Sequence, residues 1–254
     1  KVLYEYDDVG GDAHATTVAN INPYLVDADD LVLSNRSTPL VSGIPQLGIG
    51  NKPIDGGYLL LSPDEKKALL AAEPAAASLL YRWYGADEFL NGVERWVVYV
   101  GNTSPTALKS LSKVRELLDR VRKFRLGQID AKNGRKAKGG ESSLALAGTP
   151  GKFHVENIPT KQYLVIPRHS TEVRGMIPMD FVDPSILSGD ANLISEDADV
   201  RHFGVLQSAM HQAWMRIVCG RIKSDYRYSQ GIVYNNFPWP VDASAAQKAA
   251  IGDA

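Results

Sequence analysis

Within seven residues, Arg168-His169-Ser170-Thr171-Glu172-Val173-Arg174, the chain gathers two arginines, one carboxylate and two hydroxyls. These side-chain types read base edges. A guanidinium forks onto two acceptors of guanine, a carboxylate accepts from the amino group of cytosine, and a hydroxyl serves either. Arg168, Ser170, Glu172 and Arg174 are the candidates for such contacts. An ordinary polar hairpin tip has the same composition. A second signal is charge: between Lys109 and Lys138 eleven Lys and Arg stand against Glu116, Asp119 and Asp130, a local +8 in a chain of net charge −1. Phosphate contact requires such a concentration of cations, and Arg135, Lys136 and Lys138 in NGRKAKGG are its candidates. A solvated helix face followed by a loose loop reads the same way. Finally, the run from Arg221 to Tyr228 interleaves cations with Tyr rings, which suits backbone contact by Arg221, Lys223 and Arg227. An Arg/Tyr/Asp packing cluster is the competing reading.

Asn22-Pro23-Tyr24 touches a different chemistry. Enzymes that methylate an exocyclic amino group carry an Asn/Asp-Pro-Pro-Tyr/Phe loop, whose ring stacks on a flipped base while Asn and carbonyl oxygens accept from the amino group. One Pro is missing here. A turn in which Pro23 fixes φ and Tyr24 packs inward explains the residues equally well. Gly48-Ile49-Gly50 and Gly56-Gly57 lack the strand-turn-helix context of a cofactor cradle and read as turns. The five His and the single Cys219 show no ligand spacing, since His202 and His211 fall on opposite sides of a helix. No Gly-x-Ser-x-Gly elbow occurs. No catalytic, cofactor-binding or metal-binding residue is therefore assigned.

The elements that must position these residues can be read from pattern. At 254 residues, 44% hydrophobic and 22% charged, the proportions are globular and a core needs no staples. One cysteine makes no internal disulfide, and no apolar run reaches the roughly 18 residues of a membrane span, so a reducing compartment, the cytoplasm, is expected. Lys1 in place of Met, ahead of strand-like KVLYEY, suggests a piece of a longer polypeptide. LVLS (31–34), YLLLS (58–62) and ERWVVYV (94–100) read as strands, and Ser62-Pro63-Asp64-Glu65 caps a helix to about Ala72. A short helix is expected from Pro74 to Tyr84, and a long one from Ser104-Pro105 through the Leu108–Phe124 apolar stripe. Residues 127–151 read as a loop. YLVIP (163–167) and 175–177 form the arms of a hairpin whose tip is the Arg168–Arg174 run, and 192–195 is a further strand. One apolar helix spans His202–Val218, and the residues after Pro240 form a tail with little to bury.

Longer stretches carry a resemblance. INPYL (21–25), GNKPIDGGYLLLS (50–62), GADEFLNGVERW (85–96), LKSLSKVRELLDRVRKFR (108–125), HFGVLQSAMHQAWMRIVCGRIKSDYRYS (202–229) and IVYNNFPWP (232–240) follow one another in fixed order over nearly the whole chain. Together they are similar to the C-terminal part of MmeI-like DNA methyltransferases, the combined restriction-and-modification proteins of type II and related stand-alone adenine methylases. The resemblance implies an α+β target-recognition domain over 1–200, with short antiparallel strands and a long helix, and a helical C-terminal segment over 201–254 packed on it. It also implies double-stranded DNA as partner, together with a methyltransferase domain of the same polypeptide. That domain would hold S-adenosylmethionine and methylate adenine N6, with a nuclease domain ahead of it in some members; this fragment itself would hold no cofactor and be non-catalytic. Asn22-Pro23-Tyr24 would then lie downstream of the catalytic loop, in the connection to target recognition. The alternative is an assembly module whose Leu108–Phe124 stripe docks a nuclease or a second subunit.

Overall fold

Local sequence explains the first helix. In the computed structural model, which describes residues 1–252 apart from Val9, Asn102, Lys138 and Asp242, the Ser62 side chain accepts from the Glu65 amide at 3.2 Å. The Glu65 carboxylate returns the bond to the Ser62 amide at 2.9 Å, and α1 (Pro63–Ala72) starts there. Lys138, one of the candidate phosphate contacts, lies outside the described residues, as does the end of the tail at 253–254.

In chain order, a hairpin of β1 (Val2–Tyr6) and β2 (Ala13–Thr17) comes first. The strands β3 (Gly48–Ile49) and β4 (Leu60–Leu61) precede α1. After it come β5 (Leu80–Tyr84), α2 (Ala86–Asn91), β6 (Trp96–Val98), α3 (Pro105–Ser110), α4 (Ser112–Arg125) and α5 (Glu141–Ala145). The strands β7 (Tyr163–Pro167), β8 (His169–Ser170), β9 (Asp180–Val182), β10 (Ile186–Ser188) and β11 (Asn192–Ser195) follow. The chain then runs through α6 (Val200–Gln207), α7 (Ala209–Val218), β12 (Gly220–Ile222), β13 (Asp225–Arg227) and α8 (Ala245–Gly252).

The fold is α+β, with sheets ordered β10-β5-β6-β4, β3-β11-β7-β9 and β12-β13-β8 beside the β1-β2 hairpin. Pairing is antiparallel except between β10 and β5. One core packs α4 through Val114, Leu118 and Val121 against the β5–β6 sheet. A second joins β7 and β11 to α6, α7 and the aromatic run Tyr228, Tyr234, Phe237 and Trp239. It draws on residues from both sides of position 200.

Several elements depart from the sequence expectation. The 31–34 segment is irregular, and Pro74–Leu79 is a 3-10 turn that feeds β5 instead of a helix reaching Tyr84. Long apolar runs do not distinguish a buried strand from a buried helix. The expected long helix is interrupted at Leu111 (φ −100°, ψ 81°), and α4 is capped from afar. The buried Glu73 carboxylate accepts from the Lys113 and Val114 amides at 3.2 and 3.1 Å. The 202–218 helix is likewise two helices, because Ser208 adopts ψ 151° and its hydroxyl accepts from the His211 amide at 3.2 Å, capping α7. The loop over 127–151 contains α5. The tail forms α8, whose Ile251 packs on Gly204 of α6 at a place where a Cβ would come within 2.5 Å of Ile251 Cγ2.

Arg125, one of the eleven cations between Lys109 and Lys138, is fully buried and no part of a solvated face. Its five N–H groups donate to the carbonyls of Pro53, Ile54, Leu146, Thr149 and Lys152 at 2.7 to 3.0 Å, clipping two loops to the end of α4. The apolar stripe of the same region is also consumed internally: Leu111, Val114, Leu118 and Val121 are buried in the chain's own core. That removes the surface on which the assembly-module alternative relied.

Candidate nucleic-acid interface

The expected hairpin of 163–167 with 175–177 does not form. β7 pairs instead with β9, Tyr163 opposite Val182, and with β11, while 175–177 is irregular. The residues between β7 and β9 turn aside into another sheet. There β8 pairs with β13, placing Ser170 opposite Tyr226 and His169 opposite Arg227. β12 completes the sheet, with Arg221 opposite Tyr226 and Gly220 opposite Arg227. Two runs of the sequence that were far apart thus meet: 168–174, and 221–228 with Arg221, Lys223 and Arg227.

Strand alternation sorts them by face. Ser170 and Tyr226 point inward and are buried at 4% and 7% exposure. His169 and Arg227 point outward and are exposed, and so, two residues along β13, is Asp225. Lys223 occupies the exposed turn between β12 and β13 in the left-handed region, φ 57°.

The individual candidates stand as follows. Arg168 is partly buried and donates from Nη1 to the Asp190 carbonyl at 3.1 Å. Ser170 does not present its hydroxyl to solvent; the Oγ is enclosed and makes no hydrogen bond to a described residue. Glu172 lies 3.8 Å from Arg221, and its amide donates to Asp225 Oδ1 at 3.4 Å, so the 171–174 turn leans on the β12–β13 hairpin. Arg174 is partly buried, and its side chain makes no ion pair or hydrogen bond among the described residues. Arg221 braces the hairpin: Nη1 donates to the Ser224 carbonyl at 2.8 Å and the guanidinium lies 4.5 Å from the Tyr226 ring centre. His169 and Asp225 belong to the same face but carried no signal of their own. The i, i+2 alternation through the buried Ser170 and Tyr226 is what selects them, and it needs the register to be known.

Electrostatically this face is mixed. Burial, followed by the nearby Arg168 and Arg227 charges, lowers the His169 pKa, with Asp225 opposing. The imidazole is therefore neutral at pH 7 and offers one donor and one acceptor.

The basic loop belongs to the other core. Lys132 bonds Glu65 and the Leu60 carbonyl, and the Tyr58 hydroxyl donates to the Asp130 carbonyl at 2.7 Å. Arg135 is exposed. Lys136 is exposed as well, with its ammonium 2.9 Å from Asp130. The loop does not join the three-stranded sheet.

Asn22-Pro23-Tyr24 is a self-contained turn. The buried Asn22 carboxamide oxygen accepts from the Tyr24 and Val26 amides at 2.9 and 3.3 Å, and Tyr24 Oη accepts from the Leu33 amide at 2.9 Å. The groups that would grip a flipped base are occupied.

The glycines do not suit S-adenosylmethionine. A Cβ on Gly50 would stand 2.2 Å from the Gly189 carbonyl oxygen, and one on Gly56 would meet the Phe124 ring at 2.7 Å, so both serve close internal packing. Among the described residues no group of three or more His, Cys, Asp or Glu is placed to hold a metal ion. Cys219 is buried, and burial pushes its thiol up to about 11, leaving it unreactive at neutral pH. No helix among the described residues is long and apolar enough to cross a membrane.

Comparison with known proteins identifies the family. The family model described as MmeI, target recognition domain, matches residues 27–241. DNA methyltransferase A of Bacillus subtilis (strain 168) is 33% identical over 237 residues, 93% of this chain but 26% of that protein. The solved structure of the Type IIL restriction-modification enzyme MmeI in complex with DNA matches with a TM-score of 0.90 and 35% identity, covering 100% of this chain and 32% of that one. The chain thus spans about a quarter to a third of the length of these relatives. Because that family model spans residues 27–241, the chain belongs to the family of MmeI target recognition domains.

Proposed function

We propose that this chain is the DNA-specificity module of a cytoplasmic, S-adenosylmethionine-dependent adenine-N6 methyltransferase of the restriction-modification type. In that role it holds duplex DNA and selects the site while a methyltransferase domain of the same polypeptide flips and methylates the adenine. The observation that carries the reading is the outward row of the β12-β13-β8 sheet. Arg227 and Asp225 lie on its central strand beside His169, and Lys223 sits at the hairpin tip. The major groove admits a two-stranded ribbon. A central strand laid toward the groove brings Arg227 and Asp225 to base edges, with a guanidinium suited to guanine and a carboxylate to cytosine. Lys223 at the turn and Arg221 at the edge reach phosphates, and Glu172 and Arg174 extend the reading surface from the adjoining turn. Arg168 and Ser170 act beneath it as supports in this arrangement. Arg135 and Lys136 supply phosphate contacts from the other core, with Lys138 close behind them in the sequence.

The test is fluorescence anisotropy of the chain on duplex DNA from low to moderate salt. Binding that falls steeply with salt, and more steeply for wild type than for a Lys223→Ala/Arg227→Ala variant, is expected. No binding at low salt, by the chain or by the full-length polypeptide, overturns the reading.

A further inference from the structure

The first strand pair is an anomaly. Every residue of β1 and β2 is exposed except Leu3, which is half-buried. An isolated two-stranded hairpin is marginal in water, and a third strand or a packed face is needed to hold it. The register shows which face lacks its cover. Val2, Tyr4 and Tyr6 alternate onto one side, opposite Thr17, Ala15 and Ala13, so two Tyr rings rise over small partners. Val2 is 46% exposed, Tyr4 59% and Tyr6 58%. The opposite side carries Glu5, His14 and Thr16 beside the half-buried Leu3.

Two observations bear on what covers the apolar side. The target-recognition family model begins at residue 27, so the hairpin stands outside that unit. The match to the DNA-bound enzyme nevertheless covers this whole chain, hairpin included, in a protein about three times as long. The hairpin thus lies outside the matched recognition unit but within the structural match to a longer protein.

We infer that the Val2-Tyr4-Tyr6 face of the hairpin docks on the methyltransferase domain of the same polypeptide and anchors the recognition module to it. The inference rests on the proposed role of the chain as one module of such a polypeptide. Tyr suits such a seat, because each ring supplies a large apolar area with a hydroxyl for the rim. The Asn22 turn, fixed by its own hydrogen bonds and packed through Tyr24 on the second core, lies between the hairpin and the recognition fold.

Hydrogen exchange tests this without DNA. Amides of Val2–Tyr6 and Ala13–Thr17 should exchange at least about tenfold more slowly in the full-length polypeptide than in the present chain. In the full-length protein, Tyr4→Ser/Tyr6→Ser should restore fast exchange there while protection of β7 and β11 is unchanged. Equal hairpin exchange in the two proteins overturns the docking, even if both bind DNA. Protection in a polypeptide that fails to bind DNA leaves the docking standing and removes the recognition role instead. Light scattering covers the remaining occupant: a dimer of the present chain that Tyr4→Ser/Tyr6→Ser dissolves would assign the face to a second copy and overturn the inference.

Discussion

Arg227 stands directly opposite His169 across the β13–β8 pair, and both point away from the core that holds their neighbours Tyr226 and Ser170. The pairing joins residues 58 positions apart. Burial, and after it the Arg168 and Arg227 charges, lowers the His169 pKa and leaves the ring neutral. The positive charge of the row therefore resides on Arg227, and a polyanion approaching it would draw a proton onto His169.

Removing Arg227 should relax reading at one place. Arg227→Ala in the full-length polypeptide is expected to cost about 1 to 3 kcal/mol at a single base pair and to broaden the methylated motif there. Arg227→Lys keeps the charge but not the fork, and should resemble the alanine variant. Binding to matched and singly mismatched duplexes measures this. A loss that is uniform over all sequences would make Arg227 a phosphate contact instead.

Stability should fall on mild acidification because of His211. The ring is fully buried; its Nδ1 donates to the Leu206 carbonyl at 2.9 Å, and its Nε2 accepts from the Tyr228 hydroxyl at 3.1 Å. Burial lowers its pKa from 6.5 to about 4. The unfolded chain therefore takes up a proton that the folded one refuses. The stability contribution is complete above pH 6.5 and is lost progressively as pH falls toward 4, by about 2 kcal/mol between pH 7 and pH 5. Urea unfolding at the two pH values should show this loss, and His211→Gln, although weaker at pH 7, should show a shallower pH dependence. Equal pH dependence in the two proteins would contradict the assignment.

What the sequence made legible was local. The α1 cap is visible because Ser62 and Glu65 are three residues apart, and β7 because five apolar residues sit between polar flanks. The breaks at Leu111 and Ser208 were hidden under continuous apolar periodicity; the first depends on Glu73, 38 positions upstream of Leu111. The site was half legible. The chemistry of the 168–174 and 221–228 runs could be listed, but not their meeting, which depends on a strand pairing of two residues. Without that register, Ser170 looks as available as His169, and Asp225 attracts no notice.

Arg125 shows the same blindness in energetic form. Among Arg120, Arg122 and Lys123 it reads as one more surface cation, yet all five of its donors are spent on buried loop carbonyls. Arg125→Met should destabilise the fold by about 3 kcal/mol or more, since the carbonyls lose their partners. Lysine offers three donors from one point and cannot span both loops, so Arg125→Lys should recover little. Denaturation midpoints decide this; a midpoint near wild type for either variant would mean that water replaces the guanidinium.

The two basic regions can be separated by salt. Each phosphate contact contributes about 0.9 to the slope of log affinity against log salt. Lys223, at the exposed hairpin tip, should lower that slope by about one unit when changed to Ala, with no change in sequence preference. Lys136 starts from a different state, because its ammonium already lies 2.9 Å from Asp130. Such an exposed pair is weak and yields to a phosphate at little cost. Lys136→Ala should therefore also lower the slope by about one unit, and Asp130→Asn, which frees the ammonium, should tighten binding at low salt. If the Lys223 variant flattens the slope and the Lys136 variant does not, DNA lies along the three-stranded sheet alone, and the 130–138 loop is a solvated part of the other core.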